Sequence, residues 1–193
     1  MSKKKVLILD CGCQIFGRGG NLNHYYSDLA MKVLQKLGHE VQITLVGGLW
    51  EISEEVEKIQ WADSIIVQTP AWWMSPPWQF KKYQDEVFIQ PGIVKNDGRH
   101  HADPSIGYGT GGTLTEKKYM LSSTWNAPKA AFDRKDDFFG GVGIDGVLLP
   151  VHKAFQFLGM KPLSSFMAND VDKNPTFEED RQRFKEHLKK VFA

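Results

Sequence analysis

Only two cysteines, Cys11 and Cys13, occur in the 193 residues, and a pair one residue apart neither staples a fold nor completes a four-ligand zinc site. Both are expected to be structural or incidental thiols. Net charge is nearly absent too: 24 basic residues against 23 acidic ones leave +1, so nothing in the overall field draws the chain to nucleic acid or anionic lipid. Any attraction for a charged ligand must be local. No apolar run approaches the roughly 20 residues a membrane helix needs. The apolar segment after the basic Met1–Lys5 start is cut off at Asp10, so it reads as a β-strand rather than a leader, and the expected residence is cytoplasmic. Hydrophobic residues make up 41% and charged residues 24%, which excludes the disordered and membrane classes. The length suits one domain over residues 1–193 with a real core.

What is present is an alternation. Lys5–Asp10 (KVLILD) is a short aliphatic run ending in a glycine-rich stretch, as a strand buried on both faces should look. Leu22, Tyr25, Tyr26, Leu29, Ala30, Val33, Leu34 and Leu37 then recur at three and four residue steps, and Gly38 stands where the helix should stop. His39–Val46 reads as a second strand, Ser53 with Glu54 and Glu55 as the start of a second helix, and Asp63–Thr69 as a third strand. Trp78–Phe88 is helical in spacing. Residues 89–116 lapse into Gly, Pro, Asp and His, longer than connectors usually run, and predict a functional excursion or a flap. Lys117–Thr124 restores a strand. Residues 126–149 are ambiguous, with a helix expected to end near Gly140, then Val151–Leu158 is a short helix and Leu163–Asn169 a fifth strand. Thr176 and Glu179 match a capping box ahead of a terminal helix striped by Phe177, Phe184, Leu188, Val191 and Phe192.

Five strands separated by helices predict a doubly wound α/β fold, a parallel five-stranded sheet with helices on both faces, because parallel neighbours need crossovers and helical crossovers bury their apolar stripe. Ligands in such sheets collect beyond the carboxyl ends of the strands. The first loop there, Cys11–Asn23, has Gly17, Gly19 and Gly20 for close backbone approach, Arg18 for charge and a helix start for an anion. It holds neither G-x-G-x-x-G nor GK[ST], so dinucleotide-fold and P-loop fingerprints are missing. The second loop puts Trp72, Trp73, Met74 and Trp78 within a few residues, stacking surfaces for a flat ring. The third is Thr124-Trp125-Asn126-Ala127-Pro128. His100 and His101 lack the spacing of a metal pair, His39 suits a helix terminus, and no metal is expected. Lys81-Lys82 and Lys189-Lys190 read as solvated helix faces.

Several strings carry a resemblance: Trp61-Ala62-Asp63, Pro70-Ala71-Trp72-Trp73-Met74, Pro77-Trp78, Lys81-Lys82-Tyr83, Tyr108-Gly109 with Gly111-Gly112, Lys117-Lys118-Tyr119-Met120, Thr124-Trp125-Asn126-Ala127-Pro128, Gly141-Val142-Gly143 and Phe157-Leu158-Gly159-Met160. Spread over nearly the whole chain, they resemble the modulator of drug activity B family of NADPH-quinone reductases, of flavodoxin-like fold. The resemblance implies a homodimer with FAD at two equivalent sites near the subunit interface. Carried over by position, FAD contacts fall on Arg18, Gly19, Gly20, Asn21, Leu22, Asn23, His24 and Tyr25; on Ala71, Trp72, Trp73 and Met74; on Tyr108; and on Thr124, Trp125, Asn126 and Ala127. The chain departs from the family at Arg18-Gly19-Gly20, where the family pattern is a Ser-Asn-Gly run, so a guanidinium stands in for a hydroxyl at the phosphates.

The activity implied is a two-electron ping-pong reduction, with NADPH as donor and a quinone as acceptor in the same apolar slot. Tyr108 and His152 are the candidate proton donors to the quinone oxygens. The alternatives are an FMN-dependent azo or nitro reductase, and a flavodoxin-like electron carrier or regulatory subunit; near-zero net charge disfavours the carrier.

Overall fold

The computed structural model describes residues 2–17 and 19–193. In it β1 (Lys5–Asp10) lies between β2 (Glu40–Leu45) and β3 (Ser64–Pro70), and β4 (Lys118–Thr124) and β5 (Lys161–Pro162) continue the sheet in the order β2-β1-β3-β4-β5, all parallel. The order reverses at β1 and β3, so the switch point of this doubly wound sheet lies at their carboxyl ends.

Alternate residues of each strand feed two cores. Leu7, Leu9, Ile65, Val67, Tyr119 and Leu121 point to one face, while Val6, Ile8, Ile66 and Met120 point to the other, which is why these strands read as unbroken apolar runs. The first face is covered by α2 (Ile52–Trp61), α3 (Trp78–Val87) and α6 (Leu149–Phe157), the second by α1 (Asn21–Lys36) and α7 (Phe177–Phe192). Tyr26 of α1 meets Phe184 of α7 edge to face at 5.1 Å. Each such buried side chain contributes on the order of 1.5–3 kcal/mol.

Four local expectations are corrected. The fifth strand is split: Tyr119 pairs with Pro162 but Ser122 pairs with Phe166 of β6 (Phe166–Ala168), so one extra residue is accommodated in 163–165 as a bulge. The helix expected to run to Gly140 stops at Asp133, as α4 (Ala130–Asp133), and α5 (Gly143–Val147) precedes α6. Gly140, Gly141 and Gly143 all have positive φ and break the helix there. Ser53 lies inside α2, whose N-cap is Glu51. No capping box forms at Thr176, because its hydroxyl turns to the Asp180 carboxylate at 3.2 Å.

The 89–116 excursion is tied down rather than loose. Leu114 N–H donates to Leu158 O at 2.9 Å, Lys95 N–H to Gly111 O at 3.1 Å, and Val94 and Gly112 form an antiparallel bridge. A Cβ on Gly112 would run into the Leu158 backbone, so the excursion presses directly on the end of α6. On the same face of the sheet, fully buried Glu55 of α2 accepts from Thr44 Oγ1 at 2.8 Å, Tyr83 Oη at 2.9 Å and Lys58 Nζ at 2.6 Å. One carboxylate thus joins β2, α2 and α3.

Candidate functional site

The carboxyl ends of β1, β3 and β4 are level with one another: Asp10 is in register with Gln68, and Pro70 with Thr124. The loops leaving them therefore meet over the switch point. At the end of β1 the chain turns on the Asp10 side chain, whose Oδ1 accepts the Gly12 N–H at 2.8 Å. A Cβ on Gly12 would stand 2.8 Å from Gly20 O and 2.8 Å from His24 Cε1, so only glycine lets the two ends of this loop close on each other. Gly20, with φ near 89°, is the N-cap of α1 and makes no side-chain cap. An uncapped helix start faced by bare glycine backbone is an anion cradle. Arg18, expected to serve it, lies outside the described residues.

Beneath the cradle runs a chain of buried amides and hydroxyls. Ser122 Oγ donates to Gln68 Oε1 at 2.6 Å, Gln68 Nε2 to Asn23 Oδ1 at 2.8 Å, and Asn23 Nδ2 to Thr124 Oγ1 at 3.2 Å. The chain locks the first turn of α1 to the tips of β3 and β4. Asn23 and Thr124 were expected at the site; Asp10, Gln68 and Ser122 were missed, although polar residues at the tips of otherwise apolar strands are the signal that marks them. The Cys11 and Cys13 thiols are both pushed up, first by burial and then by the Asp10 charge, so they stay protonated and take no part as thiolates.

The loop after β3 makes a tight turn. Trp72 N–H donates to Ser75 O at 2.8 Å and Ser75 N–H returns to Trp72 O at 3.2 Å, and the two residues between, Trp73 and Met74, both have left-handed φ, 48° and 68°. Two consecutive bulky residues in that region cost on the order of 1–3 kcal/mol each. The strain holds Trp73 outward, 94% exposed. Ala71 N–H donates to Thr124 O at 3.0 Å, which fastens this turn to the third loop.

Together the two loops and the α4 region enclose a cavity of about 250 Å³ bordered by Ala71, Trp73, Met74, Trp125, Asn126 and Ala127 and, from α4 and the segment after it, by Ala131, Phe138 and Phe139. The six loop residues are among those singled out from sequence, and Ala131, Phe138 and Phe139 are not. The cavity is below the about 300–1,000 Å³ of a whole ligand site, so it suits one end of a ligand. Trp125 itself is buried, with its ring edge-on to Phe132 at 4.9 Å and its Nε1–H donating to Ser123 Oγ at 2.7 Å. It walls the cavity from the core side. Gly19, with φ near 91°, and Trp72 also meet: a Cβ on Gly19 would lie 3.3 Å from Trp72 Cζ2.

The two proton-donor candidates lie elsewhere. Tyr108, 72% exposed on the excursion, is tilted against Phe157 at 5.5 Å, and Phe157 borders a separate apolar cavity of about 510 Å³ between α3 and α6. His152 is buried in α6, 2.8 Å from the Tyr119 hydroxyl and 3.1 Å from Asp145 Oδ1. Burial pushes Tyr119 up to about 12, so its O–H donates to His152 Nδ1. The imidazole then donates Nε2–H to Asp145, and both nitrogens are engaged.

The flavodoxin-like fold model matches residues 4–192. The chain belongs to the flavodoxin-like family. A Haemophilus influenzae protein named NADPH:quinone oxidoreductase MdaB is 45% identical over 191 residues, 97% of this chain and 99% of its own length, which places the chain with the modulator of drug activity B proteins. A solved structure from Klebsiella pneumoniae, described as a candidate quinone reductase, overlays with a TM-score of 0.77 at 24% identity, over 99% of this chain and 86% of that one. An FMN-dependent NADH-azoreductase from Bacillus anthracis, solved with FMN, overlays at 0.64 with 13% identity, over 98% of this chain and 100% of that one. These two overlays show the fold alone.

Proposed function

We propose that the chain is a flavoenzyme, an NADPH:quinone oxidoreductase with FAD in the cleft formed by the loops after β1, β3 and β4. The observation that carries this is the cavity walled by Ala71, Trp73, Met74, Trp125, Asn126 and Ala127, which opens beside a glycine cradle and an uncapped helix start. A ring system at one end and a phosphate at the other is the shape the site is built to take. Bound flavin would supply the hydride chemistry, accepting two electrons from NADPH and delivering two to a quinone. The protein's part is to orient and to exclude water. Gly19 and Gly20 bring backbone N–H groups to the phosphates, while Gly12 lets the loop close beneath them. The Ala71–Met74 and Thr124–Ala127 backbones border the ring, and Trp73 offers an apolar face to donor and acceptor in turn, which is the structural basis for a ping-pong cycle. Of the two candidate proton donors Tyr108 is the freer, since it is exposed on the excursion whereas both nitrogens of His152 are engaged.

A second copy of the chain is the partner we propose. Trp73, Trp78, Ile89 and Tyr108 are all exposed; Ile89 borders the 510 Å³ apolar cavity between α3 and α6, and Tyr108 leans on Phe157 in its wall. A two-fold dimer would cover this surface on both copies with the same patch. The reading is supported further by the relative named NADPH:quinone oxidoreductase MdaB. Extracting the flavin from purified protein and following NADPH oxidation with and without a quinone tests it. FAD in the extract and quinone-dependent oxidation are expected. Recovery of FMN alone after loading with both flavins, with turnover on azo dyes and none on quinones, would replace this reading with that of an azoreductase.

A further inference from the structure

A buried carboxylate is an unexpected neighbour for an anion. Asp10, 2% exposed, stands at the tip of β1 directly under the glycine cradle. Its Oδ1 is taken by the Gly12 N–H, and its Oδ2 lies 2.8 Å from Nδ1 of His24 in the first turn of α1. An ionised carboxylate only accepts, so the proton between them sits on His24 Nδ1. A neutral His24 would then present a bare lone pair at Nε2, a nitrogen that makes no hydrogen bond among the described residues. Only the imidazolium turns that atom into a donor. The same ring packs against the cradle: its Cε1 would be 2.8 Å from a Cβ on Gly12, the position that is also 2.8 Å from Gly20 O. The His24 side chain is 41% exposed, against 2% for that of Asp10, so ligand and solvent protons both reach it.

Resting on the flavin reading above, we propose that Asp10 and His24 make flavin binding proton-linked: His24 grips the flavin's phosphates as an imidazolium held by Asp10, and the grip loosens as pH rises. Free site and flavin combine with one proton from solvent, which ends on His24 Nε2. Asp10 is the positioning residue; it fixes which nitrogen faces away from the protein and offsets the imidazolium charge. The other groups around the pair are silent across the neutral range. Cys11 and Cys13 are held as thiols, and Asn23, Gln68 and Thr124 on α1, β3 and β4 do not titrate. Arg18, in the same loop, is a guanidinium at every pH used, so it contributes to affinity without contributing a slope.

The test uses FAD, whose phosphates keep their charge near neutrality, and the flavin-free protein. Calorimetric titration in buffers of different ionisation enthalpy counts protons, and fluorescence titration gives affinity from about pH 6 to about pH 8.5. The wild type should take up a proton on binding toward the basic end of the window and lose affinity by about tenfold or more across it. His24→Gln should bind with an affinity that does not change with pH, and circular dichroism checks that it is folded. Tight wild-type binding with no proton uptake and no slope would overturn this proposal and leave the flavin reading intact, as would a His24→Gln slope equal to the wild type. No FAD binding at any pH would overturn both.

Discussion

Trp73 and Met74, like Phe16 of the first loop, are presented by strained, left-handed backbone. Because Trp73 is almost wholly exposed, Trp73→Ala should change folding stability by no more than about 0.5 kcal/mol. It should instead lower flavin occupancy or raise the quinone KM several-fold. A thermal melt beside steady-state kinetics checks both, and unchanged occupancy and KM would make Trp73 a plain surface residue. Gly12→Ala should behave oppositely. Its Cβ meets Gly20 O, His24 Cε1 and the Asp10 carboxylate within 3 Å, so the loop must open, at a cost of roughly 1–3 kcal/mol, and FAD affinity should fall by at least tenfold; flavin titration reads the outcome. At this scale the sequence told Trp73 and Trp125 apart poorly. Both sit just past a strand tip, but one loop turns its indole out and the other packs it on Phe132, and that depends on a strained turn and on neighbours from α4 that no local spacing encodes.

Secondary elements were legible wherever burial was regular. The strands of the central sheet are apolar on both faces and α1 and α7 carry long stripes, so period alone located them. Residues 126–149 defeated the same reasoning because left-handed glycines cut the chain into single turns, and the fifth strand was misjudged because a bulge leaves no compositional mark. Nor could period reveal Glu55, which reads as an ordinary acidic residue in the first turn of α2. In the fold it is the hub that ties α2 and α3 to β2. Burial first, and then the Glu55 charge, holds the Tyr83 hydroxyl far above its ordinary value, which makes it a firm donor to that carboxylate. Glu55→Ala strands Lys58, Thr44 and Tyr83 together and should cost about 3–5 kcal/mol. Tyr83→Phe removes one hydrogen bond and leaves other donors in place, at about 1–2 kcal/mol. Urea unfolding of both variants checks the ranking, and equal costs would show that Glu55 is no hub.

Over the whole molecule, several weak acids are held protonated by burial: Cys11, Cys13, Tyr83 and Tyr26, the last pushed up by desolvation first and then by the charge of Asp180. Groups raised on folding stabilise the native state fully below their unfolded values and lose that contribution as pH climbs toward the folded ones. For the thiols the loss starts near the ordinary value of 9.0, and for the tyrosines near 10.0. Thermal stability should therefore decline steadily above about pH 9, and a flat melting profile to high pH would contradict the burial described. The central claim, a flavin that takes electrons from NADPH and gives them to a quinone in the cleft over β1, β3 and β4, is tested most directly by anaerobic stopped-flow spectroscopy of the FAD-loaded protein. NADPH added alone should bleach the bound flavin's visible absorbance, and a quinone added afterwards should restore it in a second, separate phase. A flavin that stays oxidised in the presence of NADPH, or that once bleached is not restored by any quinone, would contradict the account.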